Sequence, residues 1–211
     1  MMFGAAAGTP ARRSRPAMTT PAVRAGAAAE IDAVSGIITL AFSADPMARW
    51  SLPRPDTYLA VMPAVVLAFG GRAFEEQTAY VADEGRGAAL WLPPGVEPDG
   101  ETLTDLMQRH APADVLPDLM GVFEQMGHYH PVEPHWYLPL IGVDPACQGQ
   151  GHGSALMHHA LEQCDAQHLP AYLESSNPRN VPLYLRHGFE IMGRIQVGSS
   201  PPLTPMLRKA R

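Results

Sequence analysis

The sequence predicts an α/β fold in a single domain, because segments with helical periodicity alternate with short apolar segments typical of strands. The 211 residues include 22 prolines and 19 glycines, and 46% of the chain is hydrophobic. That composition is typical of a folded protein whose turns are marked by proline and glycine. We expect residues 1–21 to be a disordered extension, with Met18 as an alternative start, and residues 22–211 to form the domain. Four arginines precede the first acidic residue, Glu30, which is also typical of a transit peptide.

Helical spacing of apolar residues predicts helices over 30–42 and 56–69, and Asp45-Pro46 predicts a short helix over 47–50. Pro63 predicts a kink or break in the second helix. The apolar side of that helix is expected to consist of Tyr58, Leu59, Met62, Val66 and Phe69. Further helices are predicted at 101–109, 113–126, 151–167 and 182–187.

Strands are predicted at 23–25, 77–82, 88–92, 135–143, 171–174, 189–197 and 205–209. The segment 83–87 should join the second and third strands as a hairpin. Pro139 lies in the middle of 135–143 and cannot donate to a ladder, so this strand is expected to be an edge or to contain a bulge.

Charge and composition exclude several classes of partner. The net charge of −6 disfavours general nucleic-acid binding. No apolar run approaches the ~18 residues of a membrane helix, and we expect a cytoplasmic protein with no membrane partner. Cys147 and Cys164 fit neither a metal spacing nor a disulfide framework. Since His128, His130 and His135 match no strong ligand template either, we expect no metal.

A glycine-rich loop lies between an apolar strand and an amphipathic helix. It consists of the consecutive residues Gln148, Gly149, Gln150, Gly151, His152, Gly153 and Ser154. Glycines at such a turn let backbone N–H groups and the helix dipole bind an anion, most naturally a pyrophosphate. A helix start without a ligand is the simpler alternative. A dinucleotide-binding loop fits poorly, because Ser154 stands at the third glycine position and fewer than 60 residues follow. A Walker A loop is excluded, since its lysine is absent.

A second motif runs from Asn180 through Tyr184 to Gly188-Phe189. The two motifs together resemble the GNAT superfamily of acyl-CoA-dependent N-acetyltransferases. The segment 173–180 and the strand start at 136–138 look like the puromycin N-acetyltransferase-like branch. The resemblance is strong over 131–208 and weak but compatible over 23–100.

The resemblance implies a twisted, mostly antiparallel mixed sheet with flanking helices and a bulged, splayed central strand. We place the bulge at 138–141. It also implies acetyl-CoA as co-substrate, in a single acetyltransferase domain over 22–211. The cofactor-binding residues it implies are Leu140, Ile141, Val143, Gln148, Gly149, Gln150, Gly151, His152, Gly153, Ser154 and Asn180. For Asn180, capping of the short helix is an alternative role compatible with cofactor contact.

The implied reaction transfers an acetyl group to a primary amine of a small molecule, by direct attack through a tetrahedral intermediate. Tyr184 occupies the general-acid position of the family, and Glu174 is our candidate base, directly or through water. An alternative for Glu174 is a structural hydrogen bond to the turn that follows it. Glu133, His135 and Tyr137 are reserve bases, and a backbone N–H of Leu140 or Ile141 is expected to stabilise the oxyanion. Alternative functions are protein or peptide N-acetylation and non-catalytic acyl-CoA sensing, in a monomer or homodimer.

Overall fold

The computed structural model describes residues 20–211, which form a seven-stranded sheet with helices on both faces. The expected disordered extension therefore lies outside the described residues, except for its last two. The helices are α1 (Ile31–Ala41), α2 (Pro46–Ser51), α3 (Pro55–Gly70), α4 (Gly100–His110), α5 (Leu116–Tyr129), α6 (His152–Ala166) and α7 (Val181–Arg186). The strands are β1 (Val23–Ala25), β2 (Ala79–Ala82), β3 (Gly87–Leu92), β4 (Trp136–Val143), β5 (Ala171–Ser175), β6 (Glu190–Ile191) and β7 (Thr204–Arg208).

The strand order is β1-β2-β3-β4-β5-β7-β6. Every neighbouring pair is antiparallel except β4 and β5, which are parallel. This confirms the predicted α/β class with a mostly antiparallel mixed sheet. The predicted hairpin is also confirmed, since β2 pairs with β3 across the segment 83–86.

The sheet opens between β4 and β5. These two strands pair only at Trp136 with Ala171 and at Tyr137 with Tyr172. Between the pairs Leu90–Leu140 and Leu92–Tyr137, one residue of β3, Trp91, faces two residues of β4. The extra residue of β4 lies at 138–139, at the N-terminal end of the predicted range, and includes the proline that cannot donate to the ladder. Beyond Tyr137, the edge of β4 that faces β5 has no strand partner.

Two apolar cores cover the two faces of the sheet. On one face, residues of α1 and α3 such as Ile38 and Val66 pack against β3 and β4. On the other, residues of α6 such as Leu156 and Met157 pack with Phe189. Fully buried strand residues form the sheet side of both cores. Because both faces of the sheet are buried, its strands have few polar side chains.

Several predicted elements differ from the structure. Helix α3 runs through Pro63 without interruption, and Leu59 is 66% exposed rather than part of its apolar side. Helix α5 starts three residues later than predicted, because Pro117 occupies its first turn. It also continues to Tyr129, so the loop before β4 is shorter than expected.

The predicted strand over 189–197 is wrong for most of its length. Only Glu190–Ile191 pairs in the sheet, and an isolated bridge joins Ile195 to Leu203. Ile195 packs with Val122 of α5 instead of extending the sheet. The apolar periodicity of this segment thus comes from packing on a helix.

Contrary to the expectation that no apolar run approaches the length of a membrane helix, one helical stretch among the described residues, Pro55–Phe74, is long and apolar enough to cross a membrane, with a mean hydropathy of 1.4. Its side chains Tyr58, Val61, Met62 and Val66 are buried in the core beneath the sheet. These contacts are those of a core helix.

Candidate active site

A groove of about 580 Å³ runs along the open edge of β4, past the start of α6 and beside α7. We call it the phosphate groove, because the predicted glycine loop lines its outer part. Two arginines, Arg179 and Arg186, also line it. Neither forms an ion pair with a carboxylate among residues 20–211.

The loop has the backbone of an anion site. Gly149 and Gly151 adopt φ of 74° and 96°, in the left-handed region that favours glycine. No side chain caps α6, and the Ala155 N–H donates to the Gly151 carbonyl as the helix begins. The earlier N–H groups of the first turn therefore need another partner, and an anion in the groove supplies one.

The side chains of the loop turn back into the protein. Gln148 Nε2 donates to the Val143 carbonyl at 3.4 Å, and Gln150 Nε2 donates to the Ala146 carbonyl at 3.3 Å. His152 is 2% exposed, and neither ring nitrogen has a hydrogen-bond partner within the described chain. Binding by these predicted cofactor residues would thus run through their main chain.

A second cavity, of about 140 Å³, lies beside β4. We call it the apolar cavity, since most of its lining side chains are hydrophobic. It is lined by α2, α3, α4 and α5 together with β4 and β5, and it is partly open to solvent.

The two cavities meet at a shared wall. The residues that line both are Phe42, Asp45, Ile141, Asn180 and Tyr184. A molecule in the phosphate groove and a molecule in the apolar cavity would contact each other only here. This junction is the candidate reaction site.

Tyr184 stands at the junction on the short helix α7. Its side chain is 5% exposed, and its hydroxyl forms no hydrogen bond to the rest of the described chain. Burial raises the pKa of this hydroxyl above its ordinary value, with a smaller effect from the Asp45 carboxylate. The hydroxyl therefore stays protonated and is free to donate.

Glu174 lies on β5, next to the opening of the sheet, and lines the apolar cavity. The Tyr137 hydroxyl donates to Oε2 at 2.9 Å, while Oε1 is buried without a partner among residues 20–211. Burial raises the pKa of Glu174 to about 7, against the hydrogen bond from Tyr137, which lowers it. The Tyr172 hydroxyl is close by but outside normal hydrogen-bond geometry. A carboxyl with this pKa can accept a proton near neutral pH.

Asp45 lies in the candidate site, but the sequence did not predict this. In the sequence analysis, Asp45 served only to predict the start of a short helix. Its Oδ1 accepts from the N–H groups of Met47 and Ala48 as the cap of α2. Its Oδ2 accepts from the Ser176 hydroxyl at 2.7 Å. The capping pattern is visible in the sequence, but the long-range bond to Ser176 is not.

Of the other predicted site residues, Asn180 lies at the junction, whereas Glu133 and His135 lie outside both cavities. Asn180 occupies the N-cap position before α7, yet its side chain makes no capping hydrogen bond and instead lines both cavities. The reserve bases Glu133 and His135 line neither cavity. His135 Nε2 lies 2.9 Å from His130 Nε2, but residues 20–211 hold no group of three or more His, Cys, Asp or Glu side chains placed to hold a metal.

Comparisons with known proteins agree with this geometry. The acetyltransferase (GNAT) family profile matches residues 118–189. An uncharacterized N-acetyltransferase of Schizosaccharomyces pombe is 36% identical over 77 residues, which are 35% of this chain and 31% of that protein. The match thus spans about a third of the length of this curated relative.

Solved structures share the fold over nearly the whole chain. A structure described as histone acetyltransferase HPA2 and related acetyltransferase, from Corynebacterium glutamicum, is 27% identical, with a TM-score of 0.65 over 92% of this chain and 98% of that one. A mosquito arylalkylamine N-acetyltransferase like 5b matches at 13% identity and a TM-score of 0.60, over 90% of this chain and 100% of that one. The Drosophila melanogaster polyamine N-acetyltransferase matches at 14% identity and a TM-score of 0.56, over 90% and 99%. The chain thus resembles GNAT acetyltransferases in the segment 118–189, about a third of its length, and shares their overall fold.

Proposed function

We propose that this protein transfers the acetyl group of acetyl-CoA to a primary amine of a small molecule. The observation that carries the proposal is the junction of the two cavities at Tyr184. One cavity ends in a glycine loop that would bind an anion, and the other is an apolar space that would take the body of a small organic molecule. An enzyme that joins two substrates needs such a meeting point.

The residues of the phosphate groove fit acetyl-CoA. Main-chain N–H groups of the glycine loop would bind the pyrophosphate. The unpaired edge of β4, at Leu140, Ile141 and Val143, would hydrogen-bond the pantetheine. Asn180 would contact it near the thioester, since its side chain is not used as a helix cap. Acetyl-CoA supplies the activated acetyl group.

Glu174 in the apolar cavity and Tyr184 at the junction supply the proton transfers. The neutral amine would attack the thioester carbonyl carbon with its lone pair, and Glu174 would take the proton that the nitrogen loses as the C–N bond forms, directly or through water. A backbone N–H of Leu140 or Ile141 would stabilise the negative oxygen. As the C–N bond forms and the C–S bond breaks, the sulfur would take the hydroxyl proton of Tyr184. Solvent then returns the proton to Tyr184 and removes the one on Glu174.

Two alternatives remain to be tested against this proposal. Acetylation of a protein or peptide is suggested by the likeness to the Corynebacterium glutamicum structure, a histone acetyltransferase HPA2 and related acetyltransferase. The apolar lining of the second cavity favours a small molecule. A non-catalytic acyl-CoA sensor would keep the phosphate groove but would not need Glu174 in the apolar cavity or Tyr184 at the junction. The likeness of 173–180 to the puromycin-modifying branch is likewise a proposal, and it does not identify the acceptor.

Thiol release from acetyl-CoA, measured across a panel of small amines and a lysine-containing peptide, tests the proposal. We expect turnover with small amines and little with the peptide. CoA affinity is measured in parallel by calorimetry. Binding of CoA without turnover of any amine would contradict the enzyme proposal and support the sensor, whereas efficient turnover of the peptide would contradict the small-molecule acceptor.

A further inference from the structure

The walls of the apolar cavity indicate what kind of acceptor it takes. They are built from aliphatic, aromatic and thioether side chains, among them Phe69, Met107, Phe123 and Met126. Methionine and aromatic side chains adapt to apolar ligands of irregular shape. Over most of its area, the wall can therefore bury an apolar ligand and make dispersion contacts with it. Few wall residues can form a hydrogen bond with a ligand.

The polar side chains of the cavity are few. Asp45, Asn180 and Tyr184 belong to the junction, and Ser176 is bonded to Asp45. The Ser51 hydroxyl donates to a carbonyl of its own helix. Asp45 and Glu174 are the two carboxylates that line the cavity among residues 20–211. The walls from α3, α4 and α5 therefore hold no carboxylate that could pair with a second cation.

We infer that the acceptor is a monoamine carried on an apolar alkyl or arylalkyl body, and that polyamines and other dications are excluded. This inference rests on the proposed function and specifies its substrate class. The single amine would lie at Glu174, and its apolar body would fill the cavity between α3, α4 and α5. A second ammonium in that space would lose its hydration without gaining a partner, which is strongly unfavourable.

A matched pair of substrates tests the inference. Hexylamine and hexamethylenediamine have the same carbon chain and differ only in the second amine. We expect kcat/KM to be at least about tenfold higher for hexylamine, because the second ammonium must be desolvated in an apolar site. Phenethylamine should be accepted as well as hexylamine or better. A preference of less than tenfold, or a preference for the diamine, would overturn the inference.

A pair of variants tests whether the apolar body of the acceptor binds in the apolar cavity. Met126 is partly buried, lines the apolar cavity and does not line the phosphate groove. Met126→Glu adds a carboxylate to the wall, and Met126→Gln is its uncharged match. We expect Met126→Glu to reduce the preference for hexylamine at least about fivefold at pH 8, whereas Met126→Gln keeps it. An unchanged preference in a Met126→Glu protein that retains its melting temperature and its KM for acetyl-CoA would overturn the inference.

Calorimetry separates failure of the inference from failure of the proposed function. Hexylamine that binds the CoA complex at least tenfold more tightly than the diamine, without being acetylated, would contradict the proposed function while supporting the assigned acceptor class. Equal binding of the two amines, or binding of neither, would overturn the assigned class.

Discussion

At the scale of single residues, Glu174 is distinguished by the different environments of its two oxygens. Oε2 accepts a hydrogen bond from Tyr137, and Oε1 is buried without a partner in the described chain. Burial disfavours the charged form and is the main reason that the pKa of this carboxyl rises from 4.5 to about 7. The hydrogen bond from Tyr137 favours the charged form and keeps the pKa from rising further. Burial and the hydrogen bond from Tyr137 together give Glu174 a pKa suited to a general base near neutral pH.

The raised pKa predicts the pH dependence of the reaction. Glu174 must be deprotonated to act as a base, so kcat/KM should fall as pH decreases below about 7. Glu174→Gln should lower kcat/KM by about 100-fold and remove this acidic limb. A pH–rate profile of both proteins checks this. An acidic limb that survives in Glu174→Gln would assign the base to another group, such as Glu133, His135 or Tyr137.

The same pKa predicts a stability effect of definite sign. Because the folded pKa of about 7 lies above the ordinary 4.5, the folded protein holds this proton more tightly than the unfolded chain does. The contribution of Glu174 to stability is therefore present below pH 4.5 and is lost as pH rises to about 7. Glu174→Gln should gain stability relative to the natural protein over that range, by up to about 3 kcal/mol. Denaturant unfolding at several pH values measures the difference, and a pH-independent difference would contradict the shifted pKa.

Tyr184 offers a clean test of the proposed general acid. Its hydroxyl forms no hydrogen bond to the described chain, while its ring packs against Phe189 with centroids 6.2 Å apart. Tyr184→Phe keeps the ring and should leave the melting temperature within a few degrees of its original value. We expect kcat to fall about 100-fold, because the departing thiolate loses its proton donor. Full kcat in the folded variant would refute the assignment.

At the scale of elements, the glycine loop gives the start of α6 the backbone geometry that our proposal assigns to pyrophosphate binding. Gly151 needs its positive φ, so Gly151→Ala would strain the backbone by about 1–2 kcal/mol and displace the N–H groups. We expect KM for acetyl-CoA to rise about tenfold, as measured by initial rates. Gly36→Ala is the control, since Gly36 is exposed in α1 and a Cβ there meets nothing within 4 Å. It should add about 0.5–1 kcal/mol of stability and leave KM unchanged. An equal effect of the two substitutions on KM would contradict the loop's role.

Elements whose signals are local were predictable from the sequence. The glycine loop, the β2–β3 hairpin and the bulge at Pro139 each depend on a few neighbouring residues that restrict the backbone. The placement of Tyr184 and Glu174 at one opening of the sheet followed from the motif resemblance. Residues whose role depends on distant contacts were missed. Asp45 gains its place in the site through Ser176, 131 positions further along the chain, and Ile195 packs on α5 rather than in a strand.

At the scale of the whole molecule, the candidate site is assembled from segments that lie far apart in the described chain. Helices α2 to α5 line the apolar cavity, and the region from β4 to α7 forms the phosphate groove. The bond between Asp45 and Ser176 joins the two halves where their cavities meet. Binding in the groove should therefore stabilise the whole fold rather than one segment.

Thermal unfolding measures this coupling. CoA at about 100 times its dissociation constant should stabilise the protein by about 2.7 kcal/mol and raise Tm by roughly 5–10 °C for a chain of this size. Gly151→Ala at the same CoA concentration should show a smaller rise. No change in Tm at saturating CoA would contradict the assignment of the groove.

A crystal structure of the ternary complex with CoA and phenethylamine tests the central claim most directly, since that claim concerns where two molecules meet. We predict the pyrophosphate at the N–H groups of residues 149–154, the CoA sulfur beside the Tyr184 hydroxyl, and the amine nitrogen beside Glu174 with its phenyl group in the apolar cavity. CoA bound elsewhere, or an amine outside the apolar cavity and away from the sulfur, would contradict the account.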